Sequence, residues 1–380
     1  MKHLLFICTL LAAHLCAKDV SQESKPATLR VLVEKMAPAT FLEVNGRHHI
    51  YNPLDDSILS RGMLNKKHAV TLEEYGLNWG EKIPGLAKIR VVPLDAQTRI
   101  LVNGIQYKGC LEIHAHEGKI NVISEVDIEN FLKTTLPFHI EKTTDSELMN
   151  AVAIVARTHA YYIAAKNKNK DFDIDGTTFN YPGNLLSARI AAIDDAVDTT
   201  RHAVLTFKGK PFPASWTEDS AGKTASFSTI FRKTALTPSA VKLPISTKNL
   251  NSRKWQFTVS KETLARLSYL DDLTSLDLFV DPASDKVYGV KLASSFESKE
   301  LDFPAFQRLI GKHNLCSNQF TISSKKDSIT FTGYGEGLGV GLCLYTGHLL
   351  AEKGKLAPQI LNTFFPGTEM HKARSLEDLN

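Results

Sequence analysis

Apolar and polar positions change their spacing along this chain, and the changes mark its regions. From Lys25 to about Val126 short runs alternate, LRVLVEKM, FLEVNGRHHIYN, HAVTLEEY, KIRVVPL, RILVNGIQYKG, CLEIHAH and KINVISEV, between Asn-Gly, Lys-Gly and Glu-Gly turns. A period of two punctuated by turn glycines predicts antiparallel strands, and Asn103-Gly104 is the strongest hairpin signal among them. From Ile128 to Tyr162 the spacing becomes helical. Thr144 and Glu147 have the capping-box spacing, so a helix is expected to begin near Asp145. Leu148, Met149, Val152, Val155, Ala156, Tyr162 and Ile163 keep the helical period, while Ala151, Ala153, Ile154 and Ala160 fill the rest of the circumference. A helix apolar nearly all round is expected to be enclosed by other elements. Arg157 and His159 stand in its second half. A guanidinium there has to be paired or face a polar cavity, because an uncompensated buried charge costs about 3–5 kcal/mol.

Asp171, Asp173 and Asp175 follow in a loop whose spacing invites a calcium site. The twelfth position counted from Asp171 is Pro182, where that site requires a bidentate Glu, so the calcium reading is excluded. Arg189 to Thr200 has helical character, and HAVLTFKGKPFPASWTEDSAGKTASF predicts two strands around Lys208-Gly209 and then a polar loop. Glu218, Asp219, Ser220 and Thr224 crowd around Gly222 in that loop, a composition shared with ordinary turns. From Pro238 to Phe331 amphipathic helices (KETLARLSYL, FPAFQRLIGK) and strands (VYGVKLAS, FTIS, SITF) predict a further α+β piece. Glycine then takes every second position from Gly333 to Gly341. As a strand this would have one bare face, open to close approach by another backbone or a ligand. No register gives Gly-x-Gly-x-x-Gly and no Gly-Lys-Ser/Thr occurs, so nucleotide binding is excluded. A helix stopped by Gly354 and a shorter one from Pro358 complete the pattern.

Composition places the chain more than it explains it. Met1-Lys2-His3, the apolar run Leu4 to Cys16 and Ala17 read as a secretory signal peptide cleaved after Ala17, with lipidation at Cys16 as the competing reading. That run is shorter than the roughly 20 residues of a membrane span, and no later stretch approaches it, so no transmembrane segment is expected in the mature chain. A formal charge of +4 over 380 residues is too balanced for a nucleic-acid partner. Cys8 and Cys16 would leave with the signal; Cys110, Cys316 and Cys343 are compatible with one bridge and a thiol, or with three thiols. His114 and His116 share a strand face and are expected to be solvated. With no third ligand nearby, neither a metal nor a cofactor is expected.

The segments VDIENFLKTTLP, ELMNAVAIVARTHAYYIA, DDAVDTTRHAVLTFKGKPFPASWTEDSAGKT, FQRLIGKHNLCSNQF and GYGEGLGVGLCLYTGHLLAEKG, with ILNTFFPGT after them, resemble the stage II sporulation protein D (SpoIID) and amidase-enhancer LytB domain family in order and spacing, from about Asn103 to Thr368. The resemblance implies an α+β fold, here a β-rich N-terminal lobe and a mixed core around a buried central helix. It further implies an exported, periplasmic or cell-envelope protein acting on the glycan strands of peptidoglycan. In enzymatic members the activity is that of a lytic transglycosylase on strands stripped of peptides; in others it is the enhancement of an N-acetylmuramoyl-L-alanine amidase. The expected layout is a signal peptide over 1–17, a β-rich region over 18–102, the family domain over 103–370 and a polar tail over 371–380.

Carried over residue by residue, Arg157 matches the family's Ala-Arg-Thr, and His139 falls where the family has its catalytic Glu. Leu338 replaces the His of Gly-His-Gly-Val-Gly-Met-Ser-Gln, and Cys343-Leu344 replace its Ser-Gln. Cleaving a glycosidic bond takes a general acid at the bridging oxygen and stabilisation of an oxocarbenium-like centre. Glu141, two residues after His139, is the first candidate acid and His139 the second. An imidazolium sits badly beside a developing cation, whereas a carboxylate stabilises that cation after giving up its proton. Arg157, Glu218, Asp219, Ser220, Thr224 and Glu336 are the expected substrate-binding residues.

Overall fold

A computed structural model describes residues 27–63, 65–74, 76–140, 145–184, 189–244, 253–375 and 377–379. The expected signal peptide and Glu141 lie outside the described residues.

The fold is α+β, as the alternating and helical patterns predict. Two antiparallel-rich sheets form the N-terminal half. One has the order Ile174–Asp175, Thr28–Ala37, Lys119–Asp127, Cys110–His116, Lys88–Pro93, His48–Tyr51, Ile58–Gly62; the other runs Ile105–Tyr107, Arg99–Val102, Ala39–Asn45, Lys66–Glu73, Gly76–Trp79, Lys82–Pro84. The Asn103-Gly104 turn joins Arg99–Val102 to Ile105–Tyr107 as a hairpin, with Val102 opposite Ile105, so strand pairing continues across the expected 102/103 boundary. Leu42, Val44, Val70 and Trp79 from one sheet meet Ile89, Val91, Ile113 and Val122 from the other in a single apolar core. The strand Thr28–Ala37 serves both sides of its sheet. Leu29 and Val31 join the core of the central helix, and Val33 packs at the edge of both cores.

The central helix is Ser146–Lys166. Asp145 caps it, its carboxylate accepting from the Leu148 amide, and the expected partner Glu147 instead accepts from the Ala357 amide at 2.7 Å, which ties on the helix Ala357–Phe364. Helices Ile128–Thr135, Ala191–Thr199 and Leu344–Glu352 complete the enclosure. Ala151, Val152, Ala153, Ile154 and Val155 are all buried there, as the all-round apolar pattern requires. Among the described residues, no helix is long and apolar enough to cross a membrane.

A third core lies between Lys254 and Tyr334, where two three-stranded sheets and the helices Lys261–Leu267 and Phe303–Ile310 bury Phe303, Phe306 and Phe331.

Three local expectations are corrected. Lys208-Gly209 does not start a two-stranded hairpin: Ala203–Phe207 pairs instead with Thr368–Lys372 from the chain's end, and the residues after Lys210 continue without pairing back. That strand runs into the expected tail, where Ala373 accepts a hydrogen bond from the Tyr161 hydroxyl. His114 is buried rather than solvated, its Nε2 2.8 Å from the Glu112 carboxylate, a hydrogen-bond partner two residues away that offsets the burial. The alternating glycines are not a strand: the continuous strand ends at Tyr334, only isolated bridges follow at Glu336, Gly337 and Val340, and Gly335, Gly337, Gly339 and Gly341 all have φ between +68° and +92°. The close backbone approach expected of them is nonetheless present. A Cβ on Gly341 would lie 2.0 Å from the Ser215 carbonyl oxygen, and one on Gly335 2.6 Å from that of Asp219. The acids after the central helix have structural partners. Asp173 pairs with Arg30 at 2.8 Å and Asp171 with Lys88 at 2.8 Å.

Candidate functional site

Two loops with little secondary structure of their own form one wall of a cleft. Trp216–Thr217 pairs in parallel with Leu342–Cys343, and the Asp219 and Glu336 backbones exchange two hydrogen bonds of 2.9 Å. This exchange places the Glu218 and Glu336 side chains on the same hollow of about 860 Å³. The opposite side is the turn Pro137 to Ile140 before the central helix, with Leu148; Tyr345 and His348 of the helix Leu344–Glu352 and Arg253 and Lys312 of the third core also line the hollow. The Arg253 guanidinium lies 4.7 Å over the Tyr345 ring, a cation–π contact that presents an aromatic face and a cation together. Lys312 stands 3.9 Å from Glu218.

The expected site residues separate into three groups. His139, Glu218 and Glu336 line the cleft. His139 is exposed, but its Nε2 is engaged with the Phe179 carbonyl at 3.0 Å, which leaves Nδ1 as the ring atom open to other partners. Asp219, Ser220 and Thr224 are buried beneath the wall and shape it. Asp219 makes an ion contact with the Arg253 Nε at 2.6 Å and accepts from the Ala221 amide; Thr224 accepts from the Val241 amide at 2.7 Å. The Ser220 amide donates to the buried Cys343 sulfur at 3.3 Å, so Cys343 occupies its position as an acceptor inside the wall. No disulfide joins Cys110, Cys316 and Cys343.

Arg157 belongs to neither group and is corrected from cleft residue to core residue. It is fully buried, and all five of its N–H donors have acceptors: Nε and one terminal nitrogen go to the two Glu129 oxygens at 2.8 and 2.6 Å, and the remaining bonds reach the Val197 and Ala203 carbonyls and the Thr200 hydroxyl. The pair staples the helix Ile128–Thr135 and the segment 197–203 onto the central helix. With every donor satisfied it has none to offer a substrate.

Sequence reasoning missed Arg253, Lys312, His348 and Lys286. Arg253 lies outside the quoted motifs, Lys312 lies within FQRLIGKHNLCSNQF without being singled out, and Lys286 looks like a surface residue of a strand. In the structure Lys286 is buried and its Nζ donates to the Ser220 carbonyl at 2.6 Å. Burial pushes it down to about 8, against the pull of Asp219, Cys343 and Asp285. Leu338, at the family's His position, offers no polar group and packs at the border of the third core. Behind His139 lies a second hollow of about 250 Å³, lined mainly by apolar side chains of the central helix and the helix Ile128–Thr135. His159 faces it and is held neutral, pushed down to about 4 by burial.

Comparison with known proteins agrees with this architecture. The stage II sporulation protein family model matches residues 116–207, the stretch that carries the central helix and the Glu129–Arg157 pair. The chain is 27% identical over 345 residues to an uncharacterised protein of Brachyspira hyodysenteriae, covering 89% of this chain and 91% of that one. It is 30% identical over 179 residues to an uncharacterised protein of Chlamydia muridarum, covering 47% of this chain and 62% of that one. It is also 22% identical over 267 residues to stage II sporulation protein D of Bacillus subtilis, covering 66% of this chain and 76% of that protein. The matched segment around the central helix, together with a relative of that name aligned across 66% of the chain, makes this protein similar to the stage II sporulation protein D family.

Proposed function

We propose that this protein has a cell-wall role as an exported protein that binds peptide-stripped glycan strands of peptidoglycan in the cleft and cleaves them as a lytic transglycosylase. The observation that carries the reading is the convergence of two carboxylates, Glu218 and Glu336, with the Arg253–Tyr345 platform on one hollow. Sugar rings stack on aromatic faces, and carboxylates supply the proton and the countercharge that glycosidic cleavage needs.

In the proposed reaction a carboxylic acid of the cleft protonates the bridging oxygen as the bond from the muramyl C1 breaks. The muramyl 6-hydroxyl closes on C1 and gives its proton to the resulting carboxylate. One group thus serves as acid and then base, no water is consumed, and a 1,6-anhydromuramyl end forms. Glu141 remains the first candidate, since it follows Ile140 of the cleft wall in sequence; Glu336 and Glu218 are the candidates with described positions. His139 ranks below them, with Nε2 committed to a backbone carbonyl.

That same bond favours a second reading, a glycan-binding protein without chemistry that modulates an amidase. Incubation with peptide-stripped strands separates the two. The enzymatic reading expects anhydromuramyl ends by mass spectrometry, lost in one of Glu141→Gln, Glu336→Gln or Glu218→Gln while strand binding persists. Binding without any such ends in the wild-type protein selects the second reading, and neither binding nor cleavage rejects both.

A further inference from the structure

Beneath the cleft wall a lysine emerges from the third core and ends among the backbones that form the site. Lys286 begins the strand Lys286–Ala293, and Gly339 makes room for it: a Cβ there would lie 2.8 Å from the lysine Cε. Its Nζ donates to the Ser220 carbonyl at 2.6 Å. The charged and titratable groups around it are Asp219 and Lys223 from the polar loop, Asp285 on its own segment and Cys343 from the glycine-rich side. Lys223 and Asp285 are paired with each other and largely cancel. Cys343 is a thiol engaged by the Ser220 amide. The remaining charged neighbour is Asp219, which is only 2% exposed and whose direct ion contact is with Arg253 of the cleft.

One buried carboxylate therefore lies between two cations, one beneath the wall and one on the cleft surface. We propose that Lys286 is a positioning residue of the cleft: its ammonium neutralises Asp219 from below and so leaves the charge of Arg253 available to an anionic group of the bound strand. When Lys286 is neutral, Asp219 cancels Arg253, and the cleft loses one positive charge in a region where low dielectric makes it count. The inference rests on the glycan reading for its ligand, but not for its electrostatics. Burial lowers the lysine to about 8, so the change falls in an accessible range of pH.

The test uses the full chain labelled with 5-fluorotryptophan. Trp216 adjoins the polar loop, Trp255 lies two residues from Arg253, and Trp79 in the N-terminal sandwich serves as an internal reference. In the wild-type protein the Trp216 or Trp255 fluorine resonance is expected to shift with a midpoint near 8 while Trp79 does not, and Lys286→Met is expected to abolish the shift. Retention of peptide-stripped glycan strands is expected to fall about tenfold between roughly pH 6.5 and 9.5, the equivalent of one charge-assisted contact. Lys286→Met is expected to show the weak retention at both values, and Lys286→Arg, which keeps its charge, to remove the pH dependence.

A wild-type spectrum without a transition near 8 overturns the proposal, and this result needs no variant to fold. Glycan retention that is unaffected by Lys286→Met also overturns it. If the wild-type protein retains no glycan at any pH, the functional reading fails and the fluorine titration alone decides the role of Lys286.

Discussion

Two arginine–carboxylate pairs sit in this molecule and do opposite things. Arg157–Glu129 is dry: both side chains are buried, the contact is bidentate, and every donor of the guanidinium is used. Arg253–Asp219 is half open, with Arg253 about one third exposed, lying over Tyr345 and facing the cleft. The first is locked inside the fold and the second lines the cleft. The comparison teaches that a recognisable motif residue need not be the functional one. The arginine of Ala-Arg-Thr supports the central helix, whereas the cleft arginine sits in a stretch with no motif.

The strongest way to break the contrast is to remove Arg157. Arg157→Met leaves Glu129 charged and uncompensated in the core, so urea unfolding is expected to show a loss of about 3–5 kcal/mol. A loss under about 1 kcal/mol would show that the pair is solvated and would return Arg157 to the list of cleft residues. The next effect is steric. Gly341→Ala puts a Cβ at 2.0 Å from a backbone carbonyl at a φ of +84°, so a cost of about 2–3 kcal/mol is expected, with the cleft loops loosened and the N-terminal sandwich unchanged in hydrogen exchange.

A smaller effect concerns Lys286, and its sign is opposite for stability and for the cleft. Its value is depressed from an ordinary 10.5 to about 8, so between these values the unfolded chain holds more protons than the native one, and native stability rises with pH. Relative to Lys286→Met, the wild-type melting temperature is expected to climb across that window, while the positive charge reaching the cleft declines. A flat difference would show that the lysine is hydrated. The least stability effect is expected from Arg253→Gln: a change within about 1 kcal/mol, because the pair is partly exposed, yet a clear loss of glycan retention. Equal losses of stability for Arg253→Gln and Arg157→Met would remove the distinction between the pairs.

Much of this architecture is legible from residue pattern because it rests on burial. The all-round apolar helix, the alternating strands and the Asn103-Gly104 hairpin each follow from local periodicity. The pairing of Ala203–Phe207 with Thr368–Lys372 does not, since no local signal connects strands 160 or so residues apart. The alternating glycines were legible as a place of close approach but not as an irregular loop with positive φ at every second residue, because glycine spacing of two suits a strand and such a loop equally well. Glu218 and Glu336 could be named from the ordered motifs. Arg253 and Lys286 lie outside them, and Lys312, though inside FQRLIGKHNLCSNQF, is not singled out by it, because the places of all three arise only when the third core folds against the loops.

The most direct test of the central claim, that the cleft and not the motif arginine meets the glycan, is hydrogen–deuterium exchange of the full chain with and without peptide-stripped glycan strands. The account predicts added protection confined to Pro137–Ile140, Thr217–Ser220 and Glu336–His348, with the segment around Arg157 already protected and unchanged. Protection appearing instead on the N-terminal sandwich, with the cleft segments exchanging as before, would contradict it.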